Sequence, residues 1–423
     1  MIVRRWSSPS RILVIAGCLC LLYCVLFVSW SREAWKEVGV DHVAQEDQEK
    51  DEARWRRDVG NQTLGFQKLF VINMPSRTDR RDATTLAFAT SNIAIYFIEG
   101  VKGDSIPEEA LPPGDSAESI KLSKGIKGSW RSHMNALQQI VYQNLTTAMI
   151  FEDDVDWDIR LRAQLNTFAI ASRFLSNPSF SNDLPRYSIQ TYPNPETEES
   201  IHNDSSPYPI SPTLYSLPIS SLPLSSLPPS SSSSTPYGDP STWDVLWLGH
   251  CGVGFPRPSS TDTSPSTANI LLTHSPDPTV PSPNHLRAHP FGPLDALSAS
   301  HDPHTRVYHR GSGGALCTVA YAVSQRGARR LLAEFGVKRW GRIWDVELGS
   351  WCASQGLCIT VQPPIFAHHH PAGGESNIGG LGGGYARAVE TKYVRWSVRM
   401  NLERLVWGKG EGELVDQWPD EAE

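Results

Sequence analysis

The chain has no excess of positive charge. Its 423 residues include 38 lysines and arginines against 45 aspartates and glutamates, which gives a net charge of −7. Proteins that bind nucleic acids use a basic surface to neutralise phosphates, so that class of function is not expected. Glycine and proline are abundant, at 32 residues each, but their excess is confined to a few segments. The composition predicts a globular protein with polar, unstructured insertions.

Charged residues are missing from residues 12–30, which are almost entirely apolar and follow three arginines in residues 1–11. A helix of this length spans roughly 28 Å, about one bilayer core. A cleaved signal peptide is the alternative, but the segment ends at Trp30 and has no small-residue cleavage site. We therefore predict a cytoplasmic tail and a single-pass type II anchor, with the remaining chain in the lumen of the Golgi or endoplasmic reticulum.

Cysteines are scarce outside that segment. Only Cys251, Cys317, Cys352 and Cys358 lie beyond it, and their spacings do not form a zinc site. In an oxidising lumen, four cysteines allow two disulfides in three possible pairings. Because Cys352 and Cys358 are close in sequence, we predict that they pair.

The rest of the chain divides by composition. Residues 31–66 are polar and charged, and they are predicted to form a stem. Residues 67–408 alternate apolar runs with helical periods, which predicts one α/β domain with a mostly parallel, twisted sheet flanked by helices. The segments at about 196–240 and 256–306 are rich in serine and proline and are predicted to be disordered insertions, because they can bury little apolar surface. Residues 409–423 are predicted to be a loose acidic tail.

Six strands and five helices are predicted inside this domain from apolar periodicity and turn residues. The predicted strands are 69–73, 93–98, 148–151, 244–248, 319–323 and 358–361. The predicted helices are 78–89, 129–142, 159–174, 324–335 and 344–353.

Four carboxylates follow the third predicted strand within five residues: Glu152, Asp153, Asp154 and Asp156. On an extended chain Glu152, Asp154 and Asp156 point to one side. Carboxylates this close repel each other unless a cation neutralises them, and oxygen ligands suit Mg²⁺ or Mn²⁺. Ligands of open α/β sheets bind at the carboxyl ends of strands, so the cluster predicts a divalent cation that bridges to a diphosphate. A solvated acidic loop is the alternative.

Two earlier segments carry groups that can bind an anion. Arg77 and Arg80 lie between a strand and the first turn of a helix, where guanidinium groups can hold phosphate. Ser132 and His133 lie near the start of an amphipathic helix, whose backbone N–H groups can also meet an anion. Surface arginines and a structural histidine are the alternatives.

Taken in this order and spacing, the segments resemble glycosyltransferase family 25, the lipooligosaccharide and procollagen galactosyltransferases, in a fungal-looking, membrane-anchored form. The matching residues are 71–80, 98–103, 128–133 and 149–154. The resemblance covers about 67–160 and resumes more loosely further on. It implies a GT-A fold, a nucleotide-sugar donor that is usually UDP-activated, and Mn²⁺ or Mg²⁺ on the acidic motif.

The resemblance also assigns roles to residues of the first two segments. It places Asn73, Arg77 and Arg80 near the nucleotide or its phosphates. It places Ser132 and His133 at the donor pocket.

The metal ligands implied by the resemblance are Glu152, Asp153, Asp154 and Asp156, of which Asp154 and Asp156 are the first choice by geometry. His368 belongs to a run of three histidines after a predicted strand. It is predicted to complete the metal shell or to contact the diphosphate. An exposed polar loop is the alternative.

Inversion at the anomeric centre, which the resemblance suggests, requires a base that deprotonates the acceptor hydroxyl. Asp345 and Glu347 are the best downstream carboxylates, and Asp345 is preferred as the base. Their alternative role is that of acidic residues favoured by the dipole at a helix N-terminus.

The sequence thus predicts an enzyme, a membrane-anchored glycosyltransferase. It would move a hexose, with galactose as the family default, from a UDP-hexose to a glycan or glycoprotein acceptor with the help of Mn²⁺ or Mg²⁺. A metal-dependent phosphohydrolase would need more histidine and aspartate ligands near the first strand. A non-catalytic, membrane-anchored carbohydrate-binding or cell-surface protein is the other alternative, and it predicts a serine/proline stalk between anchor and body. The serine/proline segments lie inside the body instead.

Overall fold

The computed structural model describes residues 49–113, 122–176, 190–192, 214–222, 227, 235–256, 266–286, 296–311, 315–371, 378 and 388–420. The chain divides into two units, Met1–Arg54 and Trp55–Glu423. In the first unit the described residues, 49–54, are helical. The predicted anchor at residues 12–30 lies outside the described ranges. Within those ranges, no helix is both long and apolar enough to cross a membrane.

Thirteen strands lie in the described part of the chain: β1 (Lys68–Asn73), β2 (Tyr96–Glu99), β3 (Thr147–Glu152), β4 (Val155–Trp157), β5 (Gln190–Tyr192), β6 (Leu214–Pro218), β7 (Val245–Gly249), β8 (Ile270–His274), β9 (Arg306–Arg310), β10 (Ala320–Ser324), β11 (Cys358–Gln362), β12 (Phe366–His370) and β13 (Glu390–Thr391). The α-helices with both ends described are α1 (Thr78–Thr90), α2 (Lys124–Tyr142), α3 (Leu161–Leu175), α4 (Ala296–Ser300), α5 (Gln325–Leu331), α6 (Trp344–Ser354) and α7 (Leu402–Val406). A π-helical segment, Leu332–Lys338, continues α5. All six predicted strands and all five predicted helices are thus confirmed, with shifted ends.

The sheet is mixed, and the prediction of a mostly parallel sheet was wrong. Its main path runs β2-β1-β3-β10-β7-β11-β9-β8-β6-β5. Strand β1 is parallel to β2 and β3, whereas β10 is antiparallel to both β3 and β7. Strand β10 lies beside β7 although β8 and β9 of the same sheet come between them in sequence, and an antiparallel bridge between Gly252 and Leu316 extends this pairing beyond the end of β7.

Helix α2 packs closely against the loop after β2. A Cβ atom on Gly128 would lie 2.3 Å from the carbonyl oxygen of Val101, so only glycine permits this approach. One turn later, Ser132 Oγ accepts a hydrogen bond from the Val101 amide at 2.8 Å. The buried indole of Trp130 stacks on Trp340, with ring centroids 4.5 Å apart. These contacts fix α2, and with it His133, against the sheet.

Parts of both serine/proline-rich segments are structured, which corrects the prediction of disordered insertions at 196–240 and 256–306. Strands β6 and β8 lie within these segments and pair in parallel in the sheet. Leu214 and Leu217 of β6 and Leu272 of β8 are fully buried. The apolar residues among the serines and prolines therefore bury enough surface to form strands. The overall composition of these segments did not predict them.

The predicted stem and tail also contain folded residues. Trp55, Val59 and Phe66, inside the predicted stem 31–66, are buried in the larger apolar cluster. Their helical or near-helical spacing gives this segment an apolar face to bury.

Residues 415–418, inside the predicted loose acidic tail at 409–423, are bound to the body. Asp416 pairs with Arg395 at 2.6 Å. The indole of Trp418 donates a hydrogen bond to the Thr391 carbonyl at 3.0 Å. The acidic residues are held by a basic partner that lies more than twenty positions earlier, and composition alone does not reveal this pairing.

Two disulfides form among the four cysteines outside the N-terminal segment. Cys352 pairs with Cys358, as predicted, and joins the end of α6 to the start of β11. Cys251 pairs with Cys317 and joins the segments beyond β7 and before β10.

Two buried histidines make the stability of the fold dependent on pH. Burial lowers the pKa of His250 and of His309 to about 4. Their pKa in the unfolded chain is about 6.5, so between these values the unfolded state binds more protons and stability falls as the pH falls. We expect the free energy of unfolding in urea to decrease from pH 7.5 to 4.5, by at most about 3 kcal/mol per histidine. The His250→Asn, His309→Gln double variant should lose part of this dependence, and an unchanged slope would contradict the assignment.

Candidate active site

The acidic motif forms a turn at the carboxyl end of β3. Glu152 is the last residue of β3, Asp153 and Asp154 occupy the turn, and Asp156 lies in the next strand, β4. Strand β4 pairs antiparallel with β12, and this pairing places His368 opposite Val155. The histidine segment is therefore held beside the acidic turn by backbone hydrogen bonds.

Glu152, Asp154 and His368 converge on one point. His368 Nε2 lies 3.5 Å from Asp154 Oδ1 and 3.7 Å from Glu152 Oε2. One potential ligand atom from each side chain falls in a group whose atoms all lie within 4.8 Å of one another. Asp154 Oδ1 and His368 Nε2 are both buried, and neither has a hydrogen-bond partner in the described structure. Asp154 Oδ1 and His368 Nε2 thus face each other across a gap of 3.5 Å, and both atoms could bind one cation.

The charges of this group reinforce one another. Burial opposes protonation of His368, but the carboxylates of Asp154 and Glu152 outweigh it and raise its pKa to about 9. Burial would likewise raise the pKa of Glu152, but interactions with His133 and His368 hold it below its ordinary value. A proton on His368 and a cation would therefore compete for the same position between the carboxylates.

A chain of hydrogen bonds orients Glu152 from behind. Thr318 Oγ1 donates to Glu152 Oε1 at 2.8 Å. The Thr318 hydroxyl has then donated its only hydrogen, so in its 3.4 Å contact with His133 Nε2 it is the acceptor. Nε2 of the neutral imidazole therefore carries the hydrogen, and Nδ1 accepts a hydrogen bond from the Tyr321 hydroxyl at 2.9 Å. His133 is buried and supports Glu152 through Thr318; the donor-pocket role predicted for it stays a prediction.

Asp153 points away from the gap and anchors the turn. Its carboxylate accepts from Asn73 Nδ2 at 2.8 Å and from Arg80 Nη1 at 2.7 Å. Burial and the neighbouring charge of Asp154 raise the pKa of Asp153, against the effect of Arg80 and Asn73. The structure thus places Asp153 outside the Glu152 group, because the turn after β3 rotates successive side chains in different directions.

Arg80 Nη1 also lies 2.9 Å from Asp154 Oδ2, so Arg80 is the arginine of its segment that contacts the acidic turn. Arg77 turns the other way and forms an ion pair with Asp79 at 2.6 Å. Of the residues predicted near phosphates, Asn73 and Arg80 therefore lie at the acidic turn, and Arg77 is paired within its own helix start. Their contacts with a nucleotide stay predictions.

Asp156 does not join the candidate ligands, although it was a first choice from the sequence. It is completely buried, and Thr391 Oγ1, Ser397 Oγ and the backbone amide of Arg399 all donate to its carboxylate. The expectation assumed an extended chain from Glu152 onward, and the turn at residues 153–154 breaks that alternation. Asp156 instead binds β13 and the segment that follows it, through Thr391, Ser397 and Arg399.

Arg399 is a site residue that the sequence gave no reason to select. Its guanidinium donates to the Asp153 carbonyl at 2.9 Å, to Thr84 Oγ1 at 2.9 Å and to the Val155 carbonyl at 3.1 Å. It is nearly enclosed, and burial lowers its pKa. Arg399 thereby fixes the backbone of the acidic turn from the opposite side to Arg80.

The two predicted catalytic carboxylates are engaged in structural contacts. Asp345 accepts the backbone amides of Cys317 and Val346, each at 2.7 Å. Glu347 is 3% exposed and pairs with Arg339 at 3.4 Å. Both lie in the first turn of α6, as their alternative role requires. Both carboxylates are thus bound within the fold, and the role of Asp345 or Glu347 as the base stays a prediction.

Ser132 also has a structural role. Its hydroxyl accepts from Val101 and donates to the carbonyl of Gly128 at 2.7 Å. It ties the loop after β2 to α2, and the donor-pocket role predicted for it stays a prediction.

The fold and this site define a class of protein: an α/β protein with a two-carboxylate, one-histidine cluster at the carboxyl end of a central strand. Residues 66–204 match the family described as Glycosyltransferase family 25 (LPS biosynthesis protein). The predicted resemblance to glycosyltransferase family 25 is thereby confirmed for this part of the chain, which contains Glu152 and Asp154.

Individual relatives agree with the family match. Procollagen galactosyltransferase 2 of Mus musculus is 27% identical over 111 residues, which cover 24% of this chain and 18% of the relative. Procollagen galactosyltransferase 1 of Danio rerio is 31% identical over 111 residues, with the same coverage. Inactive glycosyltransferase 25 family member 3 of Homo sapiens is 29% identical over 111 residues, covering 24% and 19%. The matched region spans less than a fifth of the length of these curated relatives.

Proposed function

We propose that this protein is a glycosyltransferase that moves a hexose from a nucleotide-diphosphate sugar, in first choice a UDP-hexose, to a glycan or glycoprotein acceptor. The observation that carries the proposal is the convergence of Glu152 and Asp154, which lie in the segment that matches family 25, with His368 from a later strand. Galactose is proposed on the names of the galactosyltransferase relatives. The proposed location is the lumen of the Golgi or endoplasmic reticulum, with the uncharged segment 12–30 as the anchor.

The donor atoms of the site fit a divalent cation. Two carboxylates and one imidazole suit Mn²⁺, whereas Mg²⁺ prefers an all-oxygen shell, so Mn²⁺ is the proposed ion. Glu152, Asp154 and His368 would hold it. When bound, such an ion supplies positive charge that stabilises a leaving diphosphate.

The protein's own residues would contribute charge and order. Arg80 holds Asp154 and Asp153 by two short ion pairs, and its side chain is 20% exposed. It can therefore meet a phosphate without leaving the acidic turn. Thr318 fixes one oxygen of Glu152, which leaves the other oxygen on the side of His368. Preorganisation of this kind lowers the cost of assembling a charged site around the donor.

A non-catalytic family member is the second candidate. It is favoured by one specific observation, the similarity to a human relative that is named inactive. The two candidates differ in a single measurement, the release of UDP from UDP-hexoses by the purified full chain. Release above the rate of spontaneous hydrolysis supports the enzyme, and its absence with every hexose tested supports the binding protein.

Binding of UDP is expected to depend on the cation. We expect the full chain, purified in detergent, to bind UDP at least about tenfold more tightly in Mn²⁺ than in EDTA, because the ion would bridge the carboxylates and the diphosphate. Isothermal titration calorimetry provides the measurement. The Glu152→Gln variant, which keeps the size of the side chain, is the matched control and should lose most of the difference. Equal affinity in Mn²⁺ and in EDTA would contradict the proposed site.

A further inference from the structure

The Cys251–Cys317 disulfide lies against the candidate cation site. Cys251 follows β7 and Cys317 precedes β10, and the amide of Cys251 donates to the Leu316 carbonyl at 2.8 Å. The amide of Leu316 donates in return to the Gly252 carbonyl at 3.1 Å. The chain between these segments contains β8 and β9 of the same sheet, and the disulfide joins the two ends of this stretch of chain.

One half of the disulfide contacts His368. Cys251 Sγ lies 3.4 Å from His368 Nδ1. A disulfide sulfur carries no hydrogen and can only accept, so the hydrogen of this contact is on Nδ1. Nε2 is then the ring atom available to a cation, and it is the atom that faces Asp154 and Glu152. Metal-binding histidines are commonly oriented in this way through their other nitrogen.

The other half of the disulfide controls the orientation of Glu152. Cys317 has a φ of +64°, a left-handed conformation that residues other than glycine adopt at a cost. It is held there by the disulfide and by the hydrogen bond from its amide to Asp345 Oδ2. The next residue, Thr318, donates to Glu152. The backbone conformation at Cys317 therefore determines where the Thr318 hydroxyl lies.

We propose that the Cys251–Cys317 disulfide is a positioning group of the cation site. It holds His368 with Nε2 toward the carboxylates, and it holds Thr318 against Glu152. Two of the three candidate ligands, His368 and Glu152, are thus oriented by one covalent bond. The inference rests on the proposed function, because it concerns the same cation.

The test compares the two disulfides of the full chain. Binding of Mn²⁺ alone, followed by calorimetry and by the electron paramagnetic resonance signal of free Mn²⁺, is measured for the wild type and for two double variants. Cys251→Ala with Cys317→Ala should bind Mn²⁺ at least about tenfold more weakly. Cys352→Ala with Cys358→Ala removes the other disulfide, which is buried in an apolar cluster with Trp351. The Mn²⁺ affinity of this variant should stay within about twofold of the wild type.

Loss of folding is monitored separately. The two disulfides close loops of different length, with sequence separations of 66 and 6, so the first pair of substitutions should lower the thermal midpoint more. Affinities are therefore measured at a temperature at which near-ultraviolet circular dichroism shows all proteins folded. If the alanine pair does not fold, Cys251→Ser with Cys317→Ser replaces it, with weaker binding again expected.

The outcomes separate this inference from the proposed function. Wild-type Mn²⁺ affinity in a folded Cys251/Cys317 variant would overturn the positioning role and leave the cation site intact. Equal losses in both double variants would also overturn it, since they would show general loosening. A wild type that does not bind Mn²⁺ would overturn the cation site itself, and the positioning role with it.

Discussion

Asp154→Asn is expected to reduce kcat/KM for hexose transfer by about 10²–10³-fold. The substitution keeps the size of the side chain but removes the negative charge that faces His368 across the unpartnered gap. Stability should change by less than about 1 kcal/mol, because the partly exposed ion pair with Arg80 contributes little and the repulsion of Asp153 is relieved. Steady-state kinetics with a UDP-hexose and urea unfolding provide the two measurements.

The matched control for this prediction is Asp79→Asn. Asp79 is an exposed carboxylate of the same neighbourhood, paired with Arg77 and not with the cation group. It should retain activity within a few fold. Full activity of Asp154→Asn, or an equal loss in Asp79→Asn, would show that the negative charge at residue 154 has no specific role in the reaction.

Asp156→Ala is expected to destabilise the fold by about 3–5 kcal/mol. The carboxylate is fully buried and accepts hydrogen bonds from the hydroxyls of Thr391 and Ser397 and from the backbone amides of Trp157 and Arg399. Alanine would leave these donors unsatisfied in the interior, which costs about 1–3 kcal/mol for each group that water does not reach. Urea unfolding followed by tryptophan fluorescence measures the loss.

Asp156→Asn is the informative companion variant. Its amide oxygen can still accept the two backbone amides, so it should recover part of the stability lost by alanine. If Asp156→Ala were as stable as the wild type and lacked activity, Asp156 would act as a ligand instead of a structural acceptor. The contrast between Asp154 and Asp156 thus separates chemistry from folding within one short motif.

The elements of the central fold were predictable because their signals are local. The strands Thr147–Glu152 and Val245–Gly249 contain the apolar runs 148–151 and 245–248, and Lys124–Tyr142 has an apolar face at helical spacing. Strand direction was not predictable in the same way. The antiparallel pairing of β10 with β7 joins residues that are far apart in sequence, with β8 and β9 of the same sheet between them.

The candidate site was predictable where the sequence itself concentrates the chemistry. The carboxylates of Glu152 and Asp154 and the histidine run containing His368 are visible as clusters, although their role as ligands stays a prediction. Thr318 and Arg399 were not predictable, because they contact the acidic turn from 166 and 246 positions away and belong to no charged motif. The prediction for Asp156 assumed an extended chain from Glu152 onward, and it was wrong because residues 153–154 form a turn.

The pairing of β4 with β12 and the hold of Arg399 on the acidic turn have a practical consequence for dissection of this protein. A fragment cut to the recognisable family boundaries, 66–204, would still display the motif by which it is recognised. It would lack His368, the acceptor pairing of Asp156 and the guanidinium that clamps the turn. Such a fragment would therefore keep the family motif but lack residues that complete and support the candidate cation site.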